Sequence, residues 1–161
     1  MAHQHGPIPR QKGFSLIELL IVVAIILIIA AIAIPNLLKS KMAANESSAV
    51  GSVRTINTAE ITYQVGCPNL GYTTLAFLNT GNGCPSGVGI IDATLGGGIK
   101  SGYKMAATPG GLVGTVNTTY IDTATPQTVG TTGQRMFCSN QTGVIFVDPA
   151  GAACTNASTP L

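Results

Sequence analysis

From Leu19 to Ile34 the chain runs through sixteen consecutive apolar residues, with no charge, glycine or proline among them. Counted from Phe14 the stretch is twenty-one positions, interrupted only by Ser15 and Glu18. A helix this apolar on every side has no polar face to turn to water, and about 20 such residues suffice to cross a bilayer. The segment therefore has to lie in lipid or inside a packed core, and the rest of the chain is arranged around that requirement.

The residues ahead of the segment orient it. The first thirteen, MAHQHGPIPRQKG, contain Arg10 and Lys12 and no acid. Basic residues on that side place the N-terminus in the cytoplasm by the positive-inside rule. A secretory signal would end its apolar part after about 7 to 15 residues at a small-residue cleavage site. Here the apolar run is longer, and AIAIPNLL at its end offers only a partial match to such a site.

The remainder of the chain differs in kind. Beyond Pro35 the residues through Val65 still read as helix, with Val50, Val53, Ile56, Ile61 and Val65 on one half of the wheel and Arg54 and Asn57 intruding on it. A continuous helix from Ser15 to Val65 would be roughly 75 Å long. From about residue 66 the composition turns to Gly, Thr, Asn and Pro, with short runs of Val, Ile, Tyr and Phe. That pattern predicts a loop-rich head over 66–161, mostly loop to Gly98 and with strands near 101–108, 118–125, 134–139 and 143–148. A Gly-rich connection is expected after the first of these strands. The connections are of meander length, so the strands form an antiparallel sheet with one face available to the helix. SNQTG at 139–143 suits a hairpin turn, and the C-terminal residues are expected to be tied back by Cys154 and then fray. The fold class is α+β: a long N-terminal helix, hydrophobic in one half and amphipathic in the other, packed on a small sheet.

All four cysteines, Cys67, Cys84, Cys138 and Cys154, fall in the head. An even number in a small domain behind a membrane segment points to disulfides and an oxidising, extracytoplasmic compartment. Four cysteines allow three pairings and the sequence does not choose. The local one, Cys67 with Cys84 and Cys138 with Cys154, closes two short loops worth about 3 kcal/mol each by chain entropy.

KGFSLIELLIVVAIILIIAAIAIPNL resembles the class III signal and methylation motif of type IV prepilins and type II secretion pseudopilins, over roughly Gly13 to Leu38. The later TATPQTVGTTGQRMFCSNQTGVIFVD is similar to the strand pairs of some pilin-like heads. The resemblance implies the pilin fold, with 1–13 a cytoplasmic leader removed by a prepilin peptidase. Gly13 would then be the last leader residue, and Phe14 the first mature one and the site of N-methylation. It further implies that 14–65 is the long helix, with 14–35 serving first as inner-membrane anchor and then as filament core. Pro35 matches a helix proline common in the family, where its missing N–H kinks or opens the helix.

A carboxylate in hydrocarbon costs several kcal/mol unless it is paired or near an interface. Glu18 is one helical turn from Phe14, so it can sit near the headgroups in the precursor. In a filament the resemblance gives it the N-terminal amine of a neighbouring subunit as partner, an ion pair better suited to setting register than to adding stability. The implied function is structural: a pilus subunit polymerised by the assembly machinery into a helical homo-oligomer, for adhesion, motility or surface contact. The same motif serves a pseudopilin forming a short periplasmic filament. A membrane-anchored binding domain that never polymerises fits the motif least.

Chemistry finds little purchase in the sequence. Both histidines, His3 and His5, lie in the leader, and the acids Glu18, Glu46, Glu60, Asp92, Asp122 and Asp148 are scattered. No enzyme, cofactor or metal is expected, and Asp148 alone is a thin basis for calcium, which takes six or more oxygens. TLGGGIK lacks the strand–loop–helix frame of a phosphate loop. Without Arg10 and Lys12 six basic side chains face six acidic ones, and no basic patch for nucleic acid is visible. The Asn-X-Ser/Thr triplets at Asn45, Asn117, Asn140 and Asn156 follow from a Thr-rich composition.

Overall fold

In the computed structural model the described residues are 13–84, 87–151, 154–155 and 157–161. Residues 1–12, where the leader is expected, and Asn156 lie outside them. The chain divides into two compact units, one ending at Leu37 and the other Leu38–Leu161.

Helix α1 runs Leu16–Gly66, 51 residues with Pro35 in its interior. In the first unit its side chains touch little: Leu19, Ile25, Ile28 and Ile34 are all more than half exposed. The second unit begins with the remainder of α1, and here one face is buried. Glu46, Ala49, Val53, Ile56, Glu60 and Tyr63, spaced three and four apart, carry that face. This corrects the expected stripe. Val53 and Ile56 are buried as expected, but Ile61 is 47% and Val65 77% exposed, while Asn57 faces in.

Two short helices occupy a region where mostly loop is expected from composition. Helix α2 spans Leu75–Thr80 and ends at Gly81 in the left-handed conformation, whose N–H bonds back to the Phe77 carbonyl. Helix α3 spans Ala93–Gly96, capped by Asp92, whose carboxylate accepts the Leu95 N–H at 2.8 Å. Leu75, Leu78, Ile91 and Leu95 from these segments enter the same core as α1.

The sheet is a six-stranded antiparallel meander in sequence order. Its strands are β1 Ile99–Lys100, β2 Tyr103–Val113, β3 Val116–Pro126, β4 Met136–Asn140, β5 Ile145–Asp148 and β6 Thr159–Pro160. Strand β2 continues through Pro109, Gly110 and Gly111, in place of the expected Gly-rich connection. Proline is tolerated because β1 covers only Tyr103 and Lys104. Met105 donates outward to the Gly98 carbonyl, and Pro109, four residues on, presents the same unpaired edge, where a missing N–H costs no ladder bond. The C-terminus does not fray: β6 pairs with β5, and the Leu161 N–H donates to the Ile145 carbonyl at 2.8 Å.

The inner face of the sheet brings Tyr103, Met105, Ala107, Ala124 and Phe137 against Val53, Ile56 and Tyr63 of α1. Polar ties fix the register of helix on sheet. Glu46 accepts the Gln134 and Arg135 N–H groups at 2.9 and 3.1 Å and the Arg135 Nε at 2.8 Å, with the guanidinium Nη2 also at 2.8 Å. Burial pulls the Glu46 pKa up, but these donors and the Arg135 charge outweigh it and hold the carboxyl below its usual range. Tyr63 and Tyr103 reach through the core to donate to the Asn82 and Arg135 carbonyls. Gly71, at φ 75°, lets the chain after α1 press against the backbone of Asn117, where a side chain would collide.

Disulfides join Cys67 to Cys84 and Cys138 to Cys154, with Cα separations of 5.3 and 5.7 Å. The first ties the end of α1 to the loop after α2. The second ties β4 to the segment that leads into β6.

Candidate functional site

The sequence concentrates its motif at the start of α1, and the local structure there arises from elementary capping. Ser15 precedes the first helical residue, and its carbonyl accepts the Leu19 N–H at 3.2 Å, so Ser15 is the N-cap. Glu18 sits three residues on, and its Oε2 accepts the Ser15 N–H at 2.9 Å. This is the return half of a capping box, written as S-x-x-E in Ser15–Glu18, a signal that the charge argument for Glu18 passes over. The carboxylate thus has two properties in one chain. It satisfies an orphan N–H of its own helix, and it stands beside the positive end of the helix dipole.

Gly13 and Phe14 precede the helix outside any regular element and are exposed, Phe14 at 78%. With Cβ absent, Gly13 has open space about it. The Gly13–Phe14 bond is thus exposed immediately before the capped helix. From Leu16 onward the helix is long and apolar enough to cross a membrane. Within it Pro35 leaves the Ala31 carbonyl without its ordinary partner.

The other acids go elsewhere. Glu46 is bound to Gln134 and Arg135, Asp92 caps α3, and Glu60 and Asp122 are buried in the head, an arrangement no sequence signal announced. Among the described residues no three His, Cys, Asp or Glu side chains come together to hold a metal ion. An open groove of about 520 Å³ lies between α1 and the sheet edge, lined by Glu46, Val50, Arg54, Arg135 and Leu161. Its carboxylate, Glu46, is already engaged by the Gln134 and Arg135 donors.

Residues 8–34 match the family pattern described as the prokaryotic N-terminal methylation motif. Over 52 residues the chain is 52% identical to the type IV major pilin protein PilA of Myxococcus xanthus, covering 32% of this chain and 24% of that one. Over 36 residues it is 64% identical to the type IV wide pilus major component PilA4 of Thermus thermophilus, covering 22% of this chain and 28% of that one. The chain thus spans about a quarter of the length of these curated relatives, and no solved structure matches it. In its methylation motif the chain is similar to type IV pilins, and it joins that motif to a long helix followed by a small antiparallel sheet.

Proposed function

We propose that this chain is the precursor of a type IV pilus subunit, cut between Gly13 and Phe14 and methylated on the new Phe14 amine. Segment 14–35 holds the processed subunit in the inner membrane until the assembly machinery withdraws it into a helical filament. There the apolar surface that lipid had covered is covered by neighbouring helices. Glu18 takes the amine of an adjacent Phe14 as its partner, and Pro35 lets the helix bend or open between core and head. The role is structural, and the head is what the outside meets.

The observation that carries this reading is the motif itself, Gly13–Phe14 with Glu18 leading into an uninterrupted apolar helix. The two relatives reported above are named as a major pilin and a major pilus component, which favours a surface pilus over a secretion pseudopilus. The reading is tested by shearing cells and comparing the sheared surface fraction with the membrane fraction. Recovery of this chain as the dominant sheared polymer supports the pilus. Retention of all processed chain with the membrane would replace it by the pseudopilus.

A further inference from the structure

Two carboxyl side chains are sealed inside the head, away from the assembly motif. Glu60 on α1 and Asp122 on β3 each have 0% of their surface exposed. The alternation along β3 turns Tyr120, Asp122 and Ala124 inward and leaves Ile121 42% exposed, so a strand of this chain buries an acid and shows an isoleucine. Register places Asp122 opposite Ala107 of β2 and Ser139 of β4.

Neither acid has the donors an ionised carboxylate needs. Glu60 Oε2 accepts the Thr73 N–H at 3.0 Å, but Glu60 Oε1 and both Asp122 oxygens have no partner. The neighbouring polar groups are already committed. Asn57 donates to Ser139 Oγ at 2.8 Å and accepts the Tyr120 hydroxyl at 3.1 Å, and Ser139 donates to the Val144 carbonyl. The titratable groups about the pair are Glu60 itself from α1, Tyr72 from the loop after it, and Tyr120 and Asp122 from β3. Tyr72 and Tyr120 lie ring to ring at 4.6 Å. The partner strands contribute only Ala107 and Ser139 opposite Asp122, neither of which titrates. The one ion pair among the described residues, Arg135 with Glu46, is spent on another site.

We propose that Glu60 and Asp122 form a buried proton-binding site, kept protonated while α1 is packed on the sheet, which makes the cohesion of the head depend on pH. An isolated buried carboxylate is too costly to persist ionised, and two near each other repel as well. A proton removes both penalties. The directions agree: burial, with the Glu60 charge adding, pushes Asp122 up to about 8, and burial pushes Glu60 up to about 7 against the Thr73 N–H.

Both groups are raised above their unfolded values of roughly 4. Between about pH 4 and pH 8 the folded head therefore holds protons that the unfolded chain has released, and stability falls as pH rises through that window, then levels. Glu46, whose pKa is lowered, works the other way and withdraws its contribution only below about pH 4. This is independent of filament formation.

The test is thermal unfolding of the full chain in detergent, followed by near-ultraviolet circular dichroism of its four tyrosines, all in residues 63–120. The wild-type Tm is expected to fall by roughly 10 °C from pH 5 to pH 8.5. Asp122→Asn is expected to exceed wild type at pH 8.5, and Glu60→Gln/Asp122→Asn to be flat across the range. Infrared difference spectra of the wild type serve if the variants do not fold: a protonated carboxyl band should be present at pH 6 and vanish on raising the pH past about 8. A wild-type Tm that does not fall, or absence of that band, overturns the proposal. So does stabilisation by calcium or magnesium at pH 8.5 that Asp122→Asn abolishes, which would make the pair a cation site instead.

Discussion

Cells whose sole copy of this subunit carries Glu18→Ala are expected to make no surface filaments, a loss of at least about 100-fold in sheared polymer. Two contributions combine. In the isolated chain Glu18 closes the capping box on Ser15, and losing such a cap costs about 0.5–2 kcal/mol. In a filament, removing the carboxylate would leave each Phe14 amine charged and unpaired in an apolar core, which costs about 3–5 kcal/mol. The second contribution is the larger, and Glu18→Gln separates them. The amide oxygen can still accept the Ser15 N–H, so a variant that assembles normally would reduce Glu18 to a cap. A variant that is inserted in the membrane but does not polymerise supports a charge pairing. Electron microscopy and immunoblots of sheared material read both. Normal filaments from Glu18→Ala would remove the assembly role altogether.

The second large effect is expected on reduction. The two disulfides close loops of sequence separation 17 and 16, and the loops do not overlap. Each is worth about 3 kcal/mol, so together they contribute about 6 kcal/mol to a head whose total stability should lie near 5–15 kcal/mol. Their positions fit that weight. Cys67 fixes the chain where α1 ends, its N–H donating to the Tyr63 carbonyl and its carbonyl accepting the Leu70 N–H. Cys154 holds the segment that carries β6, a strand of two residues with no length of its own to rely on. Full reduction is expected to lower the Tm of the head by about 20 °C or more, and Cys138→Ser/Cys154→Ser by about half that. Melts in reductant, with four free thiols verified by titration, measure it. An unchanged Tm with four free thiols would mean that the core alone holds the head.

Why some of this is legible in the sequence and some is not depends on which forces act locally. A sixteen-residue apolar run admits few structures, so the helix from Leu16 can be read from composition alone. A hydropathy stripe puts the amphipathic half on the wrong residues, favouring Ile61 and Val65 over Asn57, Glu60 and Tyr63. The structure buries the latter because their partners, Ser139, Tyr120, Thr73 and Asn82, are distant in sequence. Only the folded sheet makes those polar positions compatible with a core. The same blindness hides Asp122, since in TYID either Tyr120 and Asp122 or Ile121 can face inward, and alternation does not choose. Helices α2 and α3 are too short to show a helical period. Pro109, a strand breaker by residue type, is harmless on an edge that no sequence pattern could identify as an edge. The capping box at Ser15–Glu18 is visible as a pattern but eclipsed by the charge of Glu18.

Everything proposed for the filament requires that the chain first be cut between Gly13 and Phe14. Mass spectrometry of the N-terminal peptide from the chain isolated from cells reads that cut without any intermediate step. The expected peptide begins at Phe14 with one methyl group on its amine. A chain recovered from active cells with Met1 to Gly13 still attached would contradict the processing and the assembly role built on it.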